Sequence, residues 1–72
     1  MNEKDLMKLD MVKKLSLLLI EKDNSLSIEQ ALSIVVNSET YKNINNDNTH
    51  LYYQSPYYVY SFLNGELSTI GN

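Results

Sequence analysis

His50 and Asp47 stand three residues apart in a run of asparagines, with Tyr52 and Tyr53 just beyond. A histidine near a carboxylate is the pairing that general acid–base catalysis uses. A working base also needs a positioned partner and a pocket, and 72 residues leave little room to build one. His50 is therefore expected as a surface or loop-anchoring residue. Asn45, Asn46 and Asp47 hint at calcium, but no glycine occupies the turn position and no glutamate closes the loop. The chain has no cysteine, so it carries no thiolate nucleophile and none of the usual Cys/His zinc sets. Glycine-rich phosphate loops and paired carboxylates on one helix face are also missing. The expectation is a non-enzymatic protein with no catalytic residue, cofactor or metal.

Charge points the same way. The net charge is -3, arginine is absent, and residues 43–72 hold no lysine either. A phosphate backbone calls for a positive footprint, and bidentate base contacts favour arginine. Met1 to Lys22 does carry five lysines against four acids. Lys4, Lys8, Lys13 and Lys14 assembled across a dimer would support a second reading, a small transcriptional or nucleic-acid accessory protein. A helix-turn-helix is disfavoured, because residues 37–55 make too long a turn.

Six tyrosines, at 41, 52, 53, 57, 58 and 60, are the compositional anomaly. Tyrosine offers large contact area with a polar tip and concentrates in protein interfaces. Three uses stay open: an aromatic recognition patch over Tyr52 to Tyr60, rings that thicken the rim of a small core, or stacking on single-stranded bases, which the lack of accompanying cations disfavours.

The elements that must position these residues are helical. Residues 3–22 are rich in Leu, Lys, Met and Glu and lack Gly and Pro. Their apolar residues do not keep to one stripe: Leu6, Leu9, Leu17 and Ile20 cover one side, and Met7, Met11, Leu15 and Leu18 the other. A competing strand over 15–20 would put Leu15, Leu17 and Leu19 on one face, but that run lacks β-branched residues apart from Ile20. The second helix, 28–37, opens on Ser27 with Gln30 three residues later, the spacing of a capping box. Its inner face is expected to hold Ile28, Ala31, Leu32, Val35 and Val36. A bend at 37–38 leads to a short turn over 39–44, then to a loop over 45–54 in which Leu51 to Gln54 is extended. Ser55-Pro56 is start grammar for a third helix over 56–67, with Val59, Leu63 and Leu67 or Ile70 facing inward. The fold class is all-α, a small single-domain bundle of three main helices with an extra short helical turn. Its core is expected to be Leu32, Val35, Val36, Val59, Leu63 and part of helix one.

Several of these segments resemble a known pattern. Ser38-Glu39-Thr40-Tyr41, the run Leu51-Tyr52-Tyr53-Gln54-Ser55-Pro56-Tyr57-Tyr58-Val59-Tyr60, and Leu63 to Glu66-Leu67 are similar to the signature of a family of small bacterial proteins with a Q-S-P-x-Y-V-Y motif. The resemblance spans residues 31–67. Such proteins are similar to components encoded beside toxin-like genes, some of them ADP-ribosyltransferase-like, so the resemblance implies an antitoxin or accessory role. It carries no established activity. Ile44 stands where the pattern has leucine, and Thr49-His50 replaces Thr-Gly. That second departure leaves either a histidine in a left-handed conformation or a loop of another shape.

The function expected is a protein–protein interaction module, with partner contacts from Leu15, Leu18, Leu19, Tyr52, Tyr53, Tyr57 and Tyr60. Its partners would be another protein, which the resemblance implies is a toxin, and a second copy of itself. The longest apolar run, Leu17 to Ile20, is far short of a membrane span, and acids interrupt any signal-like start, so a cytoplasmic protein is expected.

Overall fold

A computed structural model of the chain describes residues 1–70, with the side chain of Ile70 outside what is described. Four α-helices follow one another: α1 (Glu3–Lys22), α2 (Ile28–Val36), α3 (Glu39–Asn45) and α4 (Pro56–Ile70). Two 3-10 turns, Asp47–Thr49 and Leu51–Tyr53, link α3 to α4. The protein is a small all-α bundle, with no strand among the described residues. The strand alternative for 15–20 is thereby excluded, and the extra short turn is a seven-residue α-helix.

Each helix begins where a side chain can accept from its free N–H groups. Asn2 accepts from the Asp5 N–H at 2.9 Å and opens α1. At α2 the capping box is complete: Ser27 Oγ accepts from the Gln30 N–H, and Gln30 Oε1 accepts from the Ser27 N–H. Ser38 makes the bend. Its hydroxyl donates to the Val35 carbonyl at the end of α2 and accepts from the Tyr41 N–H of α3. Ser55 accepts from the Tyr58 N–H, with Pro56 at the first helical position of α4. Leu51 to Gln54 is not extended. The Tyr53 and Gln54 N–H groups donate back to the His50 and Leu51 carbonyls, which turns the segment and sends Tyr52 inward.

The core comprises Met11, Val12, Leu15 and Leu19 of α1, Ala31 and Val35 of α2, Ile44 of α3, Tyr52, and Val59 and Leu63 of α4. Leu32 and Val36, expected inside, are exposed, as is Ile28. Ile34 instead packs against the core, so α2 is rolled by about one residue from the orientation its apolar stripe suggests. Two small buried residues, Ser16 and Ala31, lie on the two helices that share the largest contact, and the Ser16 hydroxyl donates to its own helix at Val12. No described helix is long and apolar enough to cross a membrane.

Candidate protein-binding site

Three adjoining hollows run along α1 and form one trough. The first is lined by Asn2, Glu3, Lys4, Met7 and Tyr53, with a volume of about 330 Å³. The second shares Met7 and adds Asp10, Met11, Lys14, Tyr52, Gln54 and Pro56, at about 190 Å³. The third shares Lys14 and Pro56 and adds Leu17, Leu18, Glu21 and Tyr57, at about 330 Å³. One wall is α1 and the other is the segment from Tyr52 to Tyr57. From Glu3 to Glu21 the trough follows roughly 27 Å of helix at 1.5 Å per residue.

The wall opposite α1 is held by short-range chemistry that the sequence disguises. His50 adopts φ 54°, ψ 22°, the left-handed alternative that the sequence left open at this position. The Thr49 hydroxyl lies within reach of the Asn43 and Asn46 carbonyls and accepts from the Leu51 N–H at 3.3 Å. Lys8 anchors the loop to α1. Its ammonium pairs with Asp47 at 2.8 Å, donates to the Asn45 carbonyl at 3.3 Å and sits 5.5 Å from the centre of the Tyr52 ring. Lys4 pairs with the other Asp47 oxygen at 3.1 Å. Hydrogen bonds from Lys8 and then Lys4 hold the Asp47 carboxyl below its ordinary range, and Asp47 raises the Lys4 ammonium in turn. Asp47, a possible calcium ligand by sequence, is thus engaged by two lysines. No group of three or more acidic, histidine or cysteine side chains sits together among the described residues.

The expected partner-binding residues separate into three groups. Leu18, Tyr53 and Tyr57 line the trough; Tyr53 is 66% exposed and Tyr57 73%. Leu15, Leu19 and Tyr52 are buried within the chain, so they offer the core and not a partner surface, although Tyr52 closes the trough floor. The physical reason is that α2 and α4 cover the side of α1 bearing Leu15 and Leu19. Bare aliphatic surface appears on the other side, at Leu6, Leu9 and Leu17. Tyr60 lies away from the trough, in a separate hollow with Leu19, Leu26, Ile34, Asn64 and Leu67. Its hydroxyl has no hydrogen-bond partner among the described residues, and burial raises its pKa.

Sequence reasoning missed Met7, Leu17 and Pro56 as lining residues. Periodicity marks a position as apolar without saying which neighbour stops short of it. Tyr58 and Phe62 stack edge to face at 5.1 Å and are exposed, but they line no part of the trough.

Glu39, Thr40 and Glu66, three of the residues quoted for the sequence resemblance, act together where α3 meets α4. Glu66 of α4 accepts from the Glu39 N–H at 2.8 Å, the Thr40 N–H at 3.0 Å and the Thr40 hydroxyl at 2.9 Å. It supplies the N-terminus of α3 with a carboxylate from across the bundle. Burial alone would raise the Glu66 pKa; those hydrogen bonds and the Lys42 charge outweigh it and hold the carboxyl below its usual value. In comparisons with protein-family models, curated proteins and solved structures, the chain matches none.

Proposed function

We propose that the protein is a non-enzymatic interaction domain whose trough along α1 receives an apolar segment of a partner protein. The observation that carries this reading is the continuity of the three hollows between Met7, Leu17 and Leu18 on one wall and Tyr53, Pro56 and Tyr57 on the other. Its length suits a partner helix of about five turns. Methionine lining adapts to the shape of an incoming side chain, and exposed tyrosines anchor interfaces. Alternating rim charges, Glu3, Lys4, Asp10, Lys14 and Glu21, set register more than affinity. The resemblance over residues 31–67 adds a toxin as the partner, in which case inhibition is steric, the trough holding a helix or mobile loop of the toxin.

The nucleic-acid reading is the weaker one. Of Lys4, Lys8, Lys13 and Lys14, three are already paired with Asp47 or Asp10. Tagged full-length chain, purified from its native cells beside Tyr57→Ser and Leu18→Ser variants, tests the proposal. The parent is expected to bring down one protein in stoichiometric amount. Each variant should lose at least tenfold of it while keeping its helicity. A parent that brings down nothing, or variants that retain the protein in full, overturns the reading.

A further inference from the structure

A second apolar face adjoins the trough along α1, sharing Leu17 and Glu21 with its third hollow, and its charges suit a copy of itself. On α2, Ile34 turns toward α4, where it shares a hollow with Tyr60 and Leu67, while Ala31 and Val35 are buried. Ile28, Leu32 and Val36 follow one another at four-residue spacing on the side away from Ile34, and all three are about two-fifths exposed. On α1 the row Lys13, Leu17, Glu21 has the same spacing and is exposed throughout. Helical phase places both rows on the outer flank of the α1–α2 seam. Leu17 lies five residues before the end of α1 and Leu32 four after the start of α2, so both stand about 6–8 Å from the connecting loop.

We infer that this face is a two-fold interface between copies of the chain, with the axis passing beside Leu17 and Leu32. An antiparallel stack about that axis sets Leu17 on Leu17 and Leu32 on Leu32 of the second copy. Ile28 meets Val36, and Lys13 meets Glu21, each pair occurring twice. A two-fold interface must be self-complementary in this way. Neither Lys13 nor Glu21 takes part in an ion pair among the described residues, whereas Lys4, Lys8, Lys14 and Lys42 all do. The face is two helices wide and only about 13 Å long, the length of α2. That is the small end of specific interfaces, so association is expected in the micromolar range and not below it. Leu17 and Glu21 belong to both surfaces, but Leu32 and Lys13 line no part of the trough, so Leu32→Glu and Lys13→Glu separate this inference from the binding proposed there.

Sedimentation equilibrium on the full chain between about 10 µM and 1 mM gives the test, with circular dichroism on each variant at low concentration to confirm folding. The parent is expected to pass from monomer to dimer in that window. Leu32→Glu should raise the dissociation constant at least tenfold, and so should Lys13→Glu or Glu21→Lys alone. The double exchange, Lys13→Glu with Glu21→Lys, should return it to within about threefold of the parent, because each new charge meets its opposite across the axis. A parent that stays monomeric throughout overturns the inference. So does a double exchange no tighter than the single ones.

Discussion

At the junction of α3 and α4, one carboxylate answers three donors, and Ser38 and Thr40 are buried with their hydroxyls satisfied. Along the outer side of α1 the situation is reversed: Leu6 and Leu9 are more than half exposed, and Leu17 nearly so. The two regions divide the work of a small chain. Polar side chains at the junction fix where short elements begin and how they face each other, since a buried donor without a partner is expensive. Apolar side chains along α1 exceed what the other helices cover, and that surplus is the basis of the contacts proposed above. The difference teaches that residues fixing the junction of α3 and α4, such as Ser38, Thr40 and Glu66, are not the ones that leave apolar surface bare, such as Leu6, Leu9 and Leu17.

Two leucines of one helix give the sharpest break. Leu19→Asp places a carboxylate in the core, where Leu19 is buried, and is expected to cost more than about 4 kcal/mol, enough to unfold a chain of this size. Leu6→Asp, on exposed surface, should stay within about 0.5 kcal/mol of the parent. Thermal melts followed by circular dichroism read both. Similar losses from the two variants would erase the distinction between core and bare flank.

Glu66 tests the other region. Glu66→Ala leaves the Glu39 and Thr40 N–H groups without their acceptor and should lower stability by about 1–3 kcal/mol. Glu66→Gln keeps one acceptor oxygen and should lose less. The folded pKa of Glu66 lies below its ordinary value, so the unfolded chain takes up the proton more readily. Its stabilising contribution is complete above the unfolded carboxyl pKa, about 4.3, and disappears as pH falls through the folded value. Melting temperatures between pH 6 and pH 3 should therefore fall less steeply for Glu66→Gln than for the parent. Asp47 and Asp23 are shifted the same way and leave the variant a residual slope.

Much of this was legible in the chain. Ser27 with Gln30, and Ser55 with Pro56, announce their helices because a cap needs only neighbours within one turn. Ser38 marks the bend for the same reason. The roll of α2 was not legible: Ile28, Leu32 and Val36 read as inner because the stripe they share with Ala31 and Val35 is apolar on both flanks. Which flank is covered depends on where α1 and α4 lie. For the same reason exposure was only partly legible: Leu18, Tyr53 and Tyr57 border the trough, whereas Leu15 and Leu19, assigned to surface, are buried. The long-range bond of Glu66 to Thr40, 26 residues away, has no local signal at all.

The smallest expected effect concerns the loop that ties the trough's wall to α1. His50 sits in the left-handed region, where a side chain's Cβ crowds the following carbonyl at a cost of about 1–2 kcal/mol. The residue is exposed and makes no side-chain hydrogen bond as the N-terminal cap of the second 3-10 turn. Glycine there relieves the crowding but loses more freedom on folding, by roughly 0.5–1 kcal/mol. His50→Gly should thus stabilise the chain by a net of about 0.5–1 kcal/mol, a rise of several degrees in melting temperature. A fall instead would mean that the ring holds the loop, and that the Lys8–Asp47 tether does not suffice to set the wall on which Tyr53 and Tyr57 stand.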